Sequence, residues 1–121
     1  MKKHILLVDD ETPILELLEE YLTTRGFRVT VARSAAEARK ATQVEAPDLM
    51  ITDLQLEDGD GLQLVEQLKV LRPDMPVILL TGVLFDPQVA EERLSKKVGA
   101  YVSKTSPLKQ LLVEVRRLLG I

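Results

Sequence analysis

The stretch Ile5-Leu6-Leu7-Val8-Asp9-Asp10 is an unbroken apolar run that ends abruptly in two carboxylates. Later apolar runs also end in a polar residue: Leu49-Met50-Ile51-Thr52 before Asp53, Val77-Ile78-Leu79-Leu80 before Thr81, and Ala100-Tyr101-Val102-Ser103 before Lys104. Short apolar runs without alternation are typical of strands buried on both faces of a parallel sheet. Because the carboxyl ends of parallel strands meet at one edge, we expect these polar residues to lie together there.

Segments with helical spacing separate the apolar runs. Thr12 and Pro13 are predicted as the N-cap and first residue of a first helix, and Gly26 as the residue that stops it. Ser34 and Glu37 have the spacing of a capping box, which predicts the start of a second helix.

The remaining elements complete a repeated strand–helix order. A loop rich in Asp and Gly over residues 57–61 precedes a third helix. Asp86-Pro87 predicts a fourth helix that runs towards Lys97, and Ser106-Pro107 predicts a fifth, with Ser106 as its N-cap. The sequence therefore predicts one α/β domain over residues 1–121: a doubly wound (βα)₅ three-layer sandwich with a parallel sheet in the order 2-1-3-4-5.

Composition excludes several classes of function. The 121 residues carry 16 basic and 19 acidic side chains, so the net charge of −3 gives no electrostatic case for direct nucleic acid binding. Without cysteine, the chain has no disulfides and no thiolate metal site. No apolar stretch approaches the roughly 20 residues that a membrane span needs. We therefore expect a cytoplasmic protein.

The polar residues at the predicted strand ends suit phosphoryl chemistry. Two carboxylates 4 Å apart near a protein surface repel by about 4 kcal/mol at an effective dielectric of 20. A hard dication such as Mg²⁺ relieves that repulsion and would keep Asp53 ionised as a carboxylate nucleophile. Lys104 would neutralise charge on the transferred group, and Thr81 could donate a hydrogen bond to it.

Along essentially its whole length the chain resembles the receiver domain of two-component response regulators. The matching residues are the acidic pair Asp9-Asp10, the segment Asp53-Leu54-Gln55-Leu56-Glu57-Asp58-Gly59-Asp60-Gly61, the pair Thr81-Gly82, and the residues Tyr101 and Lys104. The resemblance implies a flavodoxin-like fold and a phosphoprotein of phosphorelay signal transduction.

The resemblance also implies the metal site. Asp53 would be the phosphoacceptor that becomes 4-aspartylphosphate. Asp10, Asp53 and the backbone carbonyl of Gln55 would hold Mg²⁺, and Asp9 would act mainly through a metal-bound water.

By the same resemblance, Thr81 and Lys104 would bind the phosphoryl oxygens. Thr81 would move towards the phosphoryl group and Tyr101 would turn inward, so that phosphorylation shifts the population between two packings. Such a protein turns over no separate substrate and catalyses only the phosphorylation and dephosphorylation of its own aspartate.

The implied phosphodonor is a sensor histidine kinase or a histidine phosphotransfer protein. The surface formed by the predicted fourth helix, fifth strand and fifth helix would contact a target protein or an output domain. A phosphorylation-dependent homodimer would use the same surface.

The chain departs from the family pattern at four places. Glu57 stands where a proline is frequent, which predicts a less rigid loop after Asp53. Thr105 follows Lys104 in place of a cis-proline, so the bond is either a cis bond costing about 2.5–4 kcal/mol or Lys104 is presented differently. Ser106 replaces a large apolar residue, and residues 97–100 form an irregular turn.

Alternatives to a phosphorylated switch remain open at this stage. One is a receiver-like interaction module that works without phosphorylation. Another is an aspartyl-phosphate hydrolase, but that class needs a second aspartate two positions after the first-strand nucleophile, where Asp9 is followed by Asp10 and Glu11. A flavodoxin-like cofactor binder would need a Ser/Thr/Gly loop where this chain has acids.

Other polar residues have structural roles as their first interpretation. Glu11 is expected to favour the start of the first helix through the helix dipole. His4 is expected to have a plain strand-start role. Asp58 and Asp60 are expected to serve a loop and turn, because the full ligand pattern of a calcium loop is missing.

Overall fold

A five-stranded parallel sheet organises the computed structural model, which describes residues 2–82 and 98–121. In chain order the elements are β1 His4–Val8, α1 Thr12–Thr24, β2 Arg28–Ala32, α2 Ala35–Val44, β3 Leu49–Asp53, β4 Gln55–Leu56, β5 Gly59–Asp60, α3 Gly61–Leu71, β6 Val77–Thr81, β7 Ala100–Ser103 and α4 Leu108–Leu119. The helix predicted from Asp86 towards Lys97 lies outside the described residues, and so does Lys97, the first residue of the turn predicted to be irregular over residues 97–100.

The order of the large sheet is β2-β1-β3-β6-β7, and every neighbouring pair is parallel. Counted without the two-residue strands β4 and β5, which form a separate hairpin, this is the predicted order 2-1-3-4-5. The order reverses between β1 and β3, so the crevice expected of such sheets opens where Asp9 and Asp53 lie.

Two apolar layers sandwich the sheet because successive side chains of a strand point to opposite faces. In β1, Ile5 and Leu7 pack into the layer beneath α1 and α4, whereas Leu6 and Val8 pack into the layer beneath α2 and α3. Both layers consist of buried aliphatic side chains with few aromatic residues. This arrangement confirms the predicted flavodoxin-like three-layer α/β fold.

The start of α2 and the end of α1 follow the sequence prediction. Ser34 Oγ accepts the N–H of Glu37 at 3.1 Å, as a capping box requires. The reciprocal bond differs by one residue, because Glu37 Oε2 accepts the N–H of Arg33 rather than that of Ser34. Gly26 has φ +96° just after α1, a conformation that only glycine adopts without strain.

Two predicted N-caps are wrong. Helix α1 begins at Thr12 itself, with Glu11 in the cap position. Helix α4, which is the predicted fifth helix, begins at Leu108 with Pro107 in the cap position. Proline is tolerated anywhere in the first turn because its missing N–H has no helical partner there, so Pro13 did not fix the start to one residue. Ser106 instead donates its N–H to Ser103 O at 3.0 Å, in a turn that precedes the helix.

Across residues 2–82 and 98–121, no helix combines the length and apolar character required to cross a lipid bilayer.

Candidate functional site

The polar ends of four parallel strands meet at one edge of the sheet. Asp9 follows β1, Asp53 ends β3, Thr81 ends β6 and Lys104 follows β7. Strand pairing aligns these ends, since Asp53 lies opposite Leu80 and the N–H of Lys104 donates to Thr81 O at 2.8 Å. Asp9, Asp53 and Thr81 are all buried. We call this region the carboxyl edge.

Lys104 is the centre of the ionic contacts at the carboxyl edge. Its Nζ lies 3.0 Å from Asp53 Oδ2, 2.9 Å from Asp9 Oδ2 and 2.8 Å from Glu11 Oε1. The Lys104 side chain is only 7% exposed. Burial alone would lower the pKa of the ammonium, but the bonds from Glu11, Asp9 and Asp53 outweigh it and raise that pKa. Lys104 is therefore a fixed positive charge against the Asp53 carboxylate.

Carboxylates outnumber ammonium groups at this edge. One oxygen from each of Asp9, Asp10, Glu11 and Asp53 lies within 4.8 Å of the others. Among the described residues, Lys104 is the cation in contact with this group. Burial raises the pKa of Asp9, although the N–H of Glu11 and the Lys104 ammonium oppose that rise. A compact set of hard oxygen ligands with excess negative charge fits a divalent cation such as Mg²⁺.

The segment between Lys104 and α4 settles how the lysine reaches the site. The peptide bond between Lys104 and Thr105 is trans, as are the other described bonds. Ser103 Oγ accepts the N–H of Thr105 at 3.2 Å and lies 2.8 Å from Thr105 Oγ1. Of the two presentations left open by the sequence, the structure has the one without a cis bond, and Lys104 still contacts Asp53.

A short hairpin follows Asp53 where the sequence predicted only a loop. Strands β4 and β5 pair antiparallel through Gln55 with Asp60 and Leu56 with Gly59. The N–H of Gln55 lies 3.4 Å from Asp53 Oδ1, which places the Gln55 backbone beside the carboxylate. Strands of two residues are too short to leave a period in the sequence.

Asp58 and Asp60 have structural roles, as the sequence predicted. Asp60 Oδ1 accepts the N–H of Leu62 at 2.8 Å and so caps α3. Asp58 accepts the N–H groups of Ala35 and Ala36, the first two residues of α2, at 2.8 and 3.0 Å. The Asp60 cap is a local pattern, whereas the Asp58 contact spans 23 residues and has no local signal.

Sequence reasoning missed one ionic contact at the carboxyl edge. Glu11 occupies the N-cap position of α1 without a side-chain cap bond, and its carboxylate binds Lys104. These residues are 93 positions apart, so only the folded sheet brings them together. His4 is the first residue of β1, at the end of the strand opposite the carboxyl edge, and its Nε2 lies 2.7 Å from Thr30 Oγ1.

Tyr101 lies in β7, opposite Leu79 of β6. Its ring is partly buried against the apolar layer beneath α2 and α3. Tyr101 and Thr81 thus belong to neighbouring strands, with Thr81 at the strand end and Tyr101 two register positions before it.

Comparison with known proteins gives the same family for sequence and structure. The family model described as "Response regulator receiver domain" matches residues 5–116. The photosynthetic apparatus regulatory protein RegA of Cereibacter sphaeroides is 37% identical over 111 residues, covering 90% of this chain and 59% of RegA. The transcriptional regulatory protein CssR of Bacillus subtilis is 34% identical over 123 residues, covering 100% of this chain and 53% of CssR.

A solved structure agrees with these sequence relatives. The CheY-like receiver domain protein of Methanospirillum hungatei superposes with a TM-score of 0.91 at 31% identity, covering 99% of this chain and 95% of that one. The chain spans a little over half the length of RegA and CssR. Sequence and fold agree, and the chain belongs to the response regulator receiver domain family.

Proposed function

We propose that this receiver domain is a phosphorylation-controlled switch whose phosphoacceptor is Asp53. The observation that carries the proposal is the contact of Lys104 Nζ with Asp53 Oδ2 at 3.0 Å, inside a group of four carboxylates with oxygens within 4.8 Å of one another. A buried carboxylate beside a fixed ammonium and an excess of acidic ligands has what phosphoryl transfer needs: a nucleophile, a charge acceptor and a cation site.

The residues proposed for Mg²⁺ are Asp10, Asp53 and the backbone carbonyl of Gln55, with Asp9 acting mainly through a metal-bound water. All of these ligand atoms are hard oxygens, which Mg²⁺ prefers. Bound there, Mg²⁺ would supply positive charge to the transferred group and offset the mutual repulsion of the carboxylates.

In the proposed reaction an oxygen of Asp53 attacks the phosphorus of a phosphohistidine. The new O–P bond forms as the N–P bond breaks, and the departing imidazole nitrogen takes a proton from solvent. Lys104 neutralises charge on the phosphoryl oxygens from the position in which it already holds Asp53. Thr81, at the neighbouring strand end, donates a hydrogen bond to one of those oxygens.

The switch is proposed to run through Thr81 and Tyr101. Movement of the Thr81 hydroxyl towards the phosphoryl group opens space beside β7, and the partly buried Tyr101 ring turns into it. The new contacts exist only in the phosphorylated packing, so phosphorylation shifts the population towards it. The surface around β7 and α4 would then contact a target protein, an output domain or a second copy of the chain.

The proposed donor is a sensor histidine kinase or a histidine phosphotransfer protein. Family membership supports this class of donor. Relatives that are named as regulatory proteins and extend well beyond the matched region support an attached or separate output function. No observation at the site favours the module that works without phosphorylation.

The test is intact-mass measurement after incubation with Mg²⁺ and acetyl phosphate. We expect a gain of one phosphoryl group that is stable in acid and labile in base, as for an acyl phosphate. The Asp53→Asn variant and the EDTA-treated protein should show no gain. Asp48→Asn, which changes a carboxylate at the opposite end of β1, is the matched control and should be phosphorylated normally. Equal labelling of Asp53→Asn and wild type would contradict the proposal.

A further inference from the structure

The hairpin β4–β5 determines where the Gln55 carbonyl lies. Gln55 is the first residue of β4 and follows Asp53 by two positions. A backbone ligand has no side-chain torsions of its own, so its position depends entirely on how the main chain around it is held. Whatever fixes the hairpin therefore also fixes one of the proposed Mg²⁺ ligands.

The base of the hairpin is held by close backbone contact. Gly61, directly after β5, donates its N–H to Leu54 O at 2.9 Å. A Cβ at Gly61 would lie 1.9 Å from Asp53 O, so the chain returns against the end of β3 as closely as glycine allows. The Asp60 cap then joins β5 to α3. These contacts join the hairpin to β3 and α3 at its base, and none of them involves the tip.

The tip of the hairpin is held by Asp58. Its two carboxylate oxygens accept the N–H groups of Ala35 and Ala36 at 2.8 and 3.0 Å. The first N–H groups of a helix have no partners inside the helix and carry the positive end of its dipole, so a carboxylate is well suited to them. The same two bonds lower the pKa of Asp58. At neutral pH the tip is thus tied to α2 by a charged, two-point contact.

Helix α2 divides its N-terminal caps between two residues. Ser34 Oγ takes the N–H of Glu37, while Asp58 takes those of Ala35 and Ala36. Removing Ser34 Oγ would weaken α2 without touching the hairpin. Removing the Asp58 carboxylate would weaken α2 and also release the hairpin tip. Comparing substitutions of Ser34 and Asp58 therefore distinguishes a general loss of helix stability from a specific loss of hairpin position.

We propose that Asp58 is a positioning residue for the Mg²⁺ site: by binding the N-terminus of α2 it holds the β4–β5 hairpin, and with it the Gln55 carbonyl, beside Asp53. This inference rests on the proposed function, because it concerns the same cation site. Asp58 also accounts for how the loop is held in a chain that has Glu57, rather than a residue with a fixed backbone torsion, at the hairpin turn.

The experiment compares Asp58→Ala, Asp58→Asn and Ser34→Ala with wild type. Mg²⁺ affinity is measured by NMR titration of ¹⁵N-labelled protein, and amide hydrogen exchange is measured in the metal-free proteins. We expect Asp58→Ala to weaken Mg²⁺ binding on the order of tenfold, as loss of a supporting partner of a ligand does. It should also speed exchange of the Gly61 amide, whose bond to Leu54 closes the hairpin.

Asp58→Asn retains one acceptor oxygen and should fall between wild type and Asp58→Ala. Ser34→Ala should lower stability while leaving Mg²⁺ affinity and Gly61 exchange as in wild type. Equal Mg²⁺ affinities for Asp58→Ala and Ser34→Ala would overturn the positioning role. If wild type itself binds no Mg²⁺, the proposed function fails and the metal role falls with it. The metal-free exchange data then still decide whether Asp58 holds the hairpin.

Discussion

Charged side chains are arranged differently at the two ends of the parallel sheet. At the end where the strands begin, which we call the amino edge, Arg28 pairs through both terminal nitrogens with the Glu45 carboxylate. Asp48 Oδ2 accepts the N–H of His4 at 2.7 Å. At the carboxyl edge, three of the four clustered carboxylates contact the ammonium of Lys104, and Asp10 is the fourth member of the cluster.

The ion pair at the amino edge is exposed and balanced, whereas the carboxyl edge holds buried carboxylates in excess of cations. The side chains of Arg28 and Glu45 are each about half exposed and remain solvated, so the pair changes the stability of the folded protein little. The carboxyl edge instead buries Asp9 and Asp53 next to further carboxylates, an arrangement that folding alone would not favour. We propose that this excess of negative charge binds a positively charged ligand during function.

The largest expected effect comes from Gly61 at the carboxyl edge. Gly61→Ala places a Cβ 1.9 Å from Asp53 O, so the backbone at the phosphoacceptor must shift. We expect a loss of about 3 kcal/mol or more in the free energy of unfolding, together with loss of phosphorylation. Urea unfolding and intact mass after acetyl phosphate treatment measure the two effects.

Gly26→Ala is the control at the amino edge. Its φ of +96° strains an alanine, but no atom of residues 2–82 or 98–121 lies within 4 Å of the added Cβ. The cost should be about 1 kcal/mol, with phosphorylation unchanged. If Gly61→Ala retained normal phosphorylation, the close return of the hairpin onto β3 would not matter for the site.

The second-largest expected effect is the loss of stability on replacing Lys104, the cation at the carboxyl edge. Lys104→Met leaves the buried carboxylates of Asp9 and Asp53 without their shared ammonium, and it also removes the partner of the exposed Glu11. Removing one partner of a buried ionic group is expected to cost about 3 kcal/mol in the metal-free protein. Added Mg²⁺ should recover part of that loss, because it supplies positive charge to the same carboxylates.

Arg28→Met is the matched change at the amino edge. The exposed Glu45 carboxylate that it leaves behind can be hydrated, so stability should change little and should not respond to Mg²⁺. Equal destabilisation by Lys104→Met and Arg28→Met would remove the distinction between the two edges.

The smallest expected effect is the pH dependence of the Asp58 contact. The N–H groups of Ala35 and Ala36 lower the pKa of Asp58 in the folded protein. Its contribution to stability is therefore complete above the ordinary Asp pKa of about 4 and is lost as the pH falls through the lower folded value. The stability difference between wild type and Asp58→Asn should be constant from about pH 7 to pH 5 and shrink below about pH 4.

Urea unfolding at several pH values measures this difference. The corresponding difference for Ser34→Ala should stay constant across the range, since serine does not titrate there. A difference for Asp58→Asn that is independent of pH would mean that the carboxylate charge adds nothing to the cap.

The sequence was sufficient for the sheet and for the residues gathered at the carboxyl edge. Apolar runs that lack alternation identify buried parallel strands, and parallel strands must bring Asp9, Asp53, Thr81 and Lys104 to one edge. The inference needed no knowledge of side-chain conformation, because strand polarity alone places the ends. The structure has the sheet in the predicted order and these four residues where the order predicts.

The contacts between residues far apart in the chain could not be predicted from the sequence. Glu11 meets Lys104 across 93 residues, and Asp58 meets α2 across 23. Each depends on how loops leave the sheet, which no local period records. The misplaced caps at Thr12 and Ser106 have a different origin: a polar residue before proline fits several positions of a helix start equally well, and tertiary packing chooses among them.

The most direct test of this account is the effect of Mg²⁺ on thermal unfolding of wild type, Asp10→Asn and Asp48→Asn. Asp10 belongs to the acidic group of the carboxyl edge, and Asp48 lies at the amino edge. A ligand that binds only the folded state at ten times its dissociation constant adds about 1.4 kcal/mol to stability.

We predict that Mg²⁺ raises the melting temperature of wild type and Asp48→Asn equally and leaves that of Asp10→Asn nearly unchanged. An equal rise in all three proteins, or no rise in any of them, would contradict the claim that the negative charge at the carboxyl edge forms a magnesium site.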